Sequence, residues 1–398
     1  MHNLTKIKVF RILLIITYPI SLLFIYPFVF FSGRKKYKLF FFFDRYAIGG
    51  AQRVHLDILD SVADICKKVF FTRVSPNDKL KNEFYSKPLT DCEDVHIWCD
   101  YLFFRLFSIH YFAFIINRNS KAKVLSANST FFYDMLPFLN KKITRIELLH
   151  NFSFGKNGME FFGLANRKYL NYRLVIDIVT RNNIIDQYKQ YNAPALFNDK
   201  IMVIEFGVNI PTQTIKSRVP ALRILYAGRG TPQKRIWLLN KIAEHFVGRK
   251  EISFVFAGSM TNELSDVVKS TYLVHKEIGS KEVMNQLYRD AHIVILTSAF
   301  EGFPLVVKEG MAYGCVPLVT SLPGIRTHIF QLENGILIDP SDNEEMVVSK
   351  SIEAIELLLK DDSLLQQLSH NAYMYATAHF SRKPFLAAYR RLLESTTV

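Results

Sequence analysis

Apolar and polar positions fall in blocks along this chain, and residues 292–320 (HIVILTSAFEGFPLVVKEGMAYGCVPLVT) show the arrangement most clearly. Ile293 to Leu296 is an apolar, β-branched run of the kind that fills a buried strand. Ser298 to Pro304 interrupts it with Gly302 and Pro304, and Pro304 suits the first turn of a helix, where its missing N–H costs nothing. The spacing predicts a helix through Glu309 to about Tyr313, ended by Gly314 as a C′ glycine. A second buried strand follows at Val316–Thr320. Strand, loop, helix, strand is the unit of a parallel α/β sheet.

The same alternation recurs on either side. In the first half, strands are expected at Leu39–Phe43, Val69–Arg73, His96–Cys99, Val124–Ala127, Ile143–Leu149 and Leu174–Thr180. Helices are expected from near Ala51 and over Asn182–Tyr191. In the second half, strands are expected at Arg223–Ala227, Ser253–Ala257 and around Tyr272–His275. Helices there are expected at Lys281–Arg289, Asn343–Leu359, Leu364–Ala378 and Lys383–Glu394, with NGILIDP as a closing strand.

One block breaks the rhythm. Residues 12–32 carry no charge and are long enough to cross a bilayer. Lys6, Lys8 and Arg11 precede them, and Arg34, Lys35, Lys36 and Lys38 follow. A short apolar core and a small-residue cleavage site, the marks of a signal peptide, are not evident, so a retained anchor is expected. Basic residues on both sides set orientation weakly. Pro19 and Pro27 also permit a bent, re-entrant or interfacial segment that never emerges on the far face.

Composition sharpens this picture at two points. A formal net charge of +14 over 398 residues calls for an anionic partner. No nucleic-acid motif is present, so no nucleic-acid partner is expected, and a membrane surface together with phosphate-bearing substrates fits better. The four cysteines (Cys66, Cys92, Cys99, Cys315) have no metal-ligand spacing and read as free thiols of a reducing compartment.

Candidate chemistry gathers at the carboxyl ends of the expected strands, where open α/β sheets bind ligands. Glu301 sits in such a loop, and Glu309 lies eight residues on, upon the following helix. The N–H groups of Phe303, Leu305 and Val306 at that helix's start form an anion site. A diphosphate-binding helix end beside two hydroxyl acceptors is what a nucleotide-sugar requires. In GRGTPQKR, Arg229 and Lys234 flank a turn into a helix near Pro232, a spacing that lets both cations converge on one diphosphate. Gly49 and Gly50 follow the first strand and let backbone N–H groups approach a ligand closely. His150 ends another strand on the same side. No Asp-x-Asp at a strand end marks a divalent-ion site, so neither metal nor other cofactor is expected.

The segment E-G-F-P-L-V-V-K-E-G-M-A-Y-G-C-V-P-L-V resembles the Glu-x7-Glu segment of the retaining glycosyltransferases of family 4, also grouped as glycosyl transferases group 1. The resemblance covers about residues 38–394. It implies the α/β GT-B fold, two Rossmann-like domains facing a cleft, here with an N-terminal hydrophobic anchor. The implied division is residues 1–37 for the anchor with its basic flanks, 38–208 for the acceptor domain and 209–380 for the nucleotide-sugar donor domain. Residues 381–398 would pack back onto the acceptor domain. The family's roles imply that Glu301 contacts the donor sugar and Glu309 the ribose. Gly228, Arg229 and Lys234 match its G-R-x-x-x-x-K-G pattern for the leaving diphosphate; Arg235 stands in place of the last glycine, either adding charge or filling surface. Lys276 and Ile278 fall where main-chain groups meet the nucleobase, and Gly302, Phe303, Pro304 and Leu305 line the donor. Gly49 and Gly50 match the G-G-A-E-R-V loop facing the diphosphate and acceptor, with Gln52 for the usual Glu, an exchange of little consequence for a backbone-mediated role. His150 matches an active-site histidine near the reacting centre.

The implied activity is a retaining sugar transfer from a nucleoside-diphosphate sugar to a hydroxyl of a lipid-linked or glycan acceptor, in surface polysaccharide or lipopolysaccharide synthesis. The protein would be membrane-associated, with its catalytic domains on the cytoplasmic side. A GT-B nucleotide-sugar epimerase or phosphorylase-like enzyme, or a non-catalytic membrane scaffold, are the rival readings.

Overall fold

The computed structural model describes residues 2–31, 36–153, 158–212, 216, 221–259, 263–339 and 343–395. Arg34 and Lys35 of the basic flank, and part of the 207–220 stretch that joins the halves, lie outside the described residues. The chain divides into two compact units, Met1–Glu205 with Leu386–Val398, and Phe206–Phe385.

Unit 1 is built on β1 (Leu39–Phe43), β2 (Lys67–Phe71), β3 (Thr90–Asp94), β4 (Lys123–Ala127), β5 (Thr144–Leu149), β6 (Tyr172–Val175) and β7 (Ile201–Val203), in the order 3-2-1-4-5-6-7. Every pairing is parallel. Its helices are α1 (His2–Phe31), α2 (Gly50–Ser61), α3 (Lys81–Tyr85), α4 (His96–Asp100), α5 (Leu102–Asn117), α6 (Thr130–Met135), α7 (Met159–Asn166) and α8 (Ile178–Gln190). All five residues of β1 are buried, which accounts for the unbroken LFFFF run: a parallel strand covered on both faces needs no polar alternation.

Unit 2 repeats the plan with β8 (Leu222–Ala227), β9 (Ile252–Ala257), β10 (Leu273–His275), β11 (Ile293–Leu296), β12 (Val316–Thr320) and β13 (Ile336–Ile338), ordered 10-9-8-11-12-13 and again parallel. Its helices are α9 (Ile236–His245), α10 (Asp266–Thr271), α11 (Lys281–Asp290), α12 (Leu305–Ala312), α13 (Glu344–Lys360), α14 (Asp362–His379) and α15 (Arg382–Glu394). The later turns of α15 belong to unit 1, where Arg390 clasps Asp64 through two nitrogens at 2.8 and 3.0 Å and Lys123 donates to the Leu392 carbonyl at 2.5 Å.

Three elements differ from the sequence reading. The strand expected at His96–Cys99 is helix α4, and the strand lies earlier, at β3. Asp94 explains the shift, because its carboxylate accepts from the backbone N–H of His96 at 3.2 Å and turns the chain out of the sheet. The strand expected over Leu174–Thr180 stops at Val175, because the Asp177 carboxylate accepts from Thr180 N at 2.6 Å and caps α8. Pro304, placed within the first helical turn by the sequence, is instead the N-cap of α12, with ψ at 136°. The predicted helix end is as expected. Gly314 has φ 74°, and Cys315 N and Gly314 N donate to Gly310 O and Met311 O, the paired bonds of a Schellman motif.

Candidate functional site

The loops at the carboxyl ends of β8, β9 and β11 are stapled together before any ligand is considered. Gly228 N donates to Ala257 O at 2.9 Å, and Gly230 N to Ser259 O at 2.8 Å. A Cβ on Gly258 would stand 1.8 Å from the Gly228 carbonyl oxygen, so only glycine lets these two loops lie on each other. After Gly230 the chain makes a tight turn over Pro232–Lys234 and enters α9 through Arg235.

Arg235 resolves the departure from the family pattern. It holds a left-handed conformation, φ 48°, which glycine adopts without steric cost. Its side chain neither adds charge at the surface nor fills surface. The guanidinium is buried, donating to the carbonyls of Thr297 at 2.6 Å and Ser298 at 3.4 Å at the end of β11. The Thr297 hydroxyl returns a bond to Lys234 O at 3.1 Å, and Ala299 N donates to Gln233 O at 2.8 Å. The turn that carries Lys234 is thereby fixed to the loop that carries Glu301.

The consequence is a contact between the two. Lys234 Nζ lies 2.5 Å from Glu301 Oε1, both side chains being largely shielded, and the Ser298 hydroxyl donates to the same oxygen at 3.2 Å. Arg229 is exposed and does not join the pair; its carbonyl accepts from the Tyr226 hydroxyl at 2.9 Å. Tyr226 titrates well above the ordinary tyrosine range, first because it is buried and then because Glu301 lies near. Glu309, on α12, accepts from the Tyr288 hydroxyl of α11 at 2.7 Å. Burial, and then Glu309, hold that phenol protonated, so it remains a donor that fixes the carboxylate.

Around the carboxylates, backbone matters more than side chain. Phe303 packs its ring against His328 and Phe380, at 4.6 and 5.3 Å, so only its main chain is left for a ligand. The Pro304 carbonyl takes the bonds of Val307 and Lys308, and no side chain caps the helix, so the N–H groups of Leu305 and Val306 open the helix start. A Cβ on Gly324 would meet Gly302 backbone at 2.5 Å, which seats the Pro323–Ile325 loop against the Glu301 loop. Lys276 is exposed, while Ile278 packs beside Leu225, Ala257 and Tyr288.

Gly49, Gly50 and His150 belong to unit 1. Gly49 is the N-cap of α2. Gln52 proves more than a backbone bystander: it is buried and its amide donates to Asp44 at the end of β1, at 3.3 Å. A glutamate there would set two carboxylates together, and burial already raises the Asp44 pKa. His150 is not solitary. Its Nε2 lies 2.8 Å from Nε2 of His55 on α2, whose ring stacks on Phe43 with centroids 4.0 Å apart. Burial lowers His150 to about 4, and burial and then His150 hold His55 well below the ordinary histidine range. At neutral pH both rings are uncharged, and one Nε2–H donates to the other ring, so the two must hold opposite tautomers. His55 escaped the sequence reading, although a histidine beside Val54, Ile58 and Leu59 on the buried face of an amphipathic helix is a visible signal.

Residues 213–375 match the model of the family described as Glycosyl transferases group 1. That stretch holds Arg229, Lys234, Glu301 and Glu309. A protein of Methanocaldococcus jannaschii described as an uncharacterized glycosyltransferase is 26% identical over 202 residues, covering 46% of this chain and 50% of that one. The chain spans about half the length of the curated relatives it matches. Among solved structures, HepE of Anabaena in complex with UDP and glucose aligns at a TM-score of 0.70 and 15% identity, over 90% of this chain and 100% of that one. The lipopolysaccharide outer core galactosyltransferase WaaB aligns at 0.65 and 18%, over 89% and 98%. The two parallel-sheet α/β units match these GT-B structures in fold, and the family model and its named relatives support an enzyme of the transferase class.

Proposed function

We propose that the protein is a retaining glycosyltransferase that moves a sugar from a nucleoside-diphosphate donor to a hydroxyl of a lipid-linked or glycan acceptor in surface polysaccharide or lipopolysaccharide synthesis. The observation that carries this reading is the Lys234–Glu301 pair, held between two stapled loops, together with Glu309 on the following helix, fixed by Tyr288. Without donor, cation and carboxylate satisfy each other. With donor, Lys234 turns to the diphosphate and Glu301 to hydroxyls of the sugar, while Glu309 grips the ribose. Arg229, exposed on the same turn, reaches the diphosphate from solvent, and the open helix start at Leu305 and Val306 supplies neutral donors to the same anion.

The hard step is departure of the diphosphate as positive charge grows on the sugar carbon. Groups fixed in advance toward that leaving charge stabilise it without reorganising, and such stabilisation usually outweighs every other contribution to catalysis. Lys234 therefore contributes on the order of 3 kcal/mol, about a hundredfold in rate. Retention follows if the acceptor hydroxyl attacks the face that the diphosphate leaves, its proton passing to a leaving phosphate oxygen. Glu301 then acts by binding rather than as a nucleophile. No metal is required, since lysine, arginine and helix N–H groups neutralise the diphosphate. In unit 1, the family resemblance assigns the uncharged His150 a hydrogen-bonding role in the reaction, and Gly49 and Gly50 a main-chain role toward ligand. The two units work on the cytoplasmic side of a membrane held by the N-terminal segment.

Thermal unfolding of the full chain with a panel of nucleoside diphosphates and their sugars tests the reading. One nucleotide class should stabilise the wild type by about 2.7 kcal/mol at a hundred times its Kd. Glu309→Ala should lose that gain, and Lys234→Ala should retain the nucleoside contact but lose transfer. Absence of stabilisation by every nucleotide, in a folded protein, would sink the proposal; product formed from donor alone would favour an epimerase.

A further inference from the structure

The N-terminal apolar helix does not stand apart from the fold. Its inward seam, Ile7, Leu14 and Ser21 at heptad spacing, is buried. Leu14 joins the hydrophobic core that Ile109 and Phe112 of α5 help to build. The Tyr18 ring meets His110 and Phe138, each at 5.1 Å. Arg11 donates to Asn166 on α7 at 2.6 Å, and the Phe10 ring lies 6.0 Å from the Arg105 guanidinium in the first turn of α5. The opposite side of α1 is bare, with Ile12, Ile16, Leu23 and Phe24 all more than half exposed.

Beside the start of this helix pair lies a second bare surface. Ile97, Trp98, Tyr101, Leu102, Phe103 and Phe104 sit at the junction of α4 and α5, and Phe103 is 80% exposed. Phe104 makes ring contacts with Trp98, Tyr101 and Phe103 at 5.4, 6.3 and 6.0 Å, so these side chains form one cluster. A contiguous apolar cluster on a water-facing surface marks an interaction site. Basic residues stand at the two ends of the α1–α5 pair. Lys6 and Lys8 are exposed at the start of α1, and Arg118, Lys121, Lys141 and Lys142 are exposed at the far end of α5, with Asp100 the one acidic residue inside the cluster.

We propose that α1 and the 97–104 cluster form a single lipid-facing surface that seats unit 1 on one leaflet of an anionic bilayer, with α1 lying in the membrane plane rather than crossing it. This rests on the membrane-associated part of the function proposed above. Crossing is disfavoured by what α1 is packed against. Were residues 5–25 to span the hydrocarbon, the Arg11–Asn166 bond and the Arg105–Asp134 ion pair, 2.6 Å long, would be drawn to membrane depth. Charged and polar groups there are costly, whereas an in-plane helix keeps them at the polar boundary. Tryptophan and tyrosine belong at that boundary, and basic residues are attracted by anionic headgroups.

The test uses the full chain carrying Trp237→Phe, which leaves Trp98 as the sole tryptophan, and an epitope tag ahead of Met1. It is added to preformed vesicles of phosphatidylcholine with or without phosphatidylglycerol. On anionic vesicles Trp98 emission should shift to the blue and be quenched by acyl-brominated lipid, and the tag should remain cleavable from outside. Leu102→Glu with Phe103→Glu should weaken vesicle binding about a hundredfold. Failure of the wild type to bind, an unshifted Trp98 in bound protein, undiminished binding by the double variant, or a protected tag would each overturn the proposal. Nucleotide binding measured in the same samples separates the two readings: its loss with vesicle binding intact would strike the transferase proposal alone.

Discussion

The His55–His150 pair makes unit 1 sensitive to acid, and the size of the effect follows from its burial. An unfolded histidine titrates near 6.5, whereas His150 in the fold titrates at about 4. Between those values the unfolded chain binds a proton that the folded chain refuses, so stability rises with pH there. The contribution is complete above pH 6.5, shrinks as pH falls, and is gone below about 4. At about 1.4 kcal/mol per pH unit, His150 alone accounts for roughly 3 kcal/mol. His55, lowered first by burial and then by His150, adds to the same slope, because charging both rings would set two cations against each other across 2.8 Å. The matching perturbation is His55→Gln with His150→Gln, which keeps an amide pair able to bond across the gap but removes both titrations. Hydrogen exchange of peptides covering β5, followed from pH 8 to pH 4, reports opening of unit 1 by itself. The wild type should lose at least about 3 kcal/mol more than the double variant over that range. Parallel curves for the two proteins would show that the rings are solvated or already charged, and the reasoning would fail.

Two further outcomes follow from close packing. Gly258→Ala sets a methyl group against the Gly228 carbonyl, and should destabilise unit 2 by more than about 3 kcal/mol in urea unfolding and weaken any nucleotide binding. In unit 1, Arg173 bonds Glu147 with two nitrogens and Tyr188 with a third, and Tyr133 also donates to Glu147, all deeply buried. Arg173→Met should cost about 3–5 kcal/mol by leaving that carboxylate uncompensated, and adding Glu147→Met should restore much of the loss, as melting of the three variants would show.

How much was legible depended on whether the deciding contact was local. The α12 unit could be read to within a residue because β-branched runs, a glycine with left-handed φ and a proline act on their own neighbours. Strand β3 was displaced because one aspartate bond, from Asp94 to His96 N, overruled an apolar-looking HIWC. The family pattern located Lys234 and Glu301, but their contact depends on Arg235 reaching across sixty-odd residues to the end of β11, which no spacing reveals. Gln52 looked neutral for the same reason, since its partner Asp44 lies on another element. The seam that docks α1 was present as a heptad at Ile7, Leu14 and Ser21, hidden inside a segment apolar enough to be read for length alone.

The last turns of α15 belong to unit 1 although the whole of unit 2 lies between them and the rest of it. During synthesis, then, unit 1 must wait. Its seven strands can pair once Val203 has left the ribosome, yet the carbonyl that receives the buried Lys123 ammonium is carried by Leu392 and arrives only after unit 2 has been translated. Until then the unfinished unit holds Lys123 without this carbonyl and without the Ser395 hydroxyl that also meets it. A nascent chain would therefore present unit 2 complete before unit 1. A stop codon placed ahead of residue 386 would damage the half of the protein encoded first.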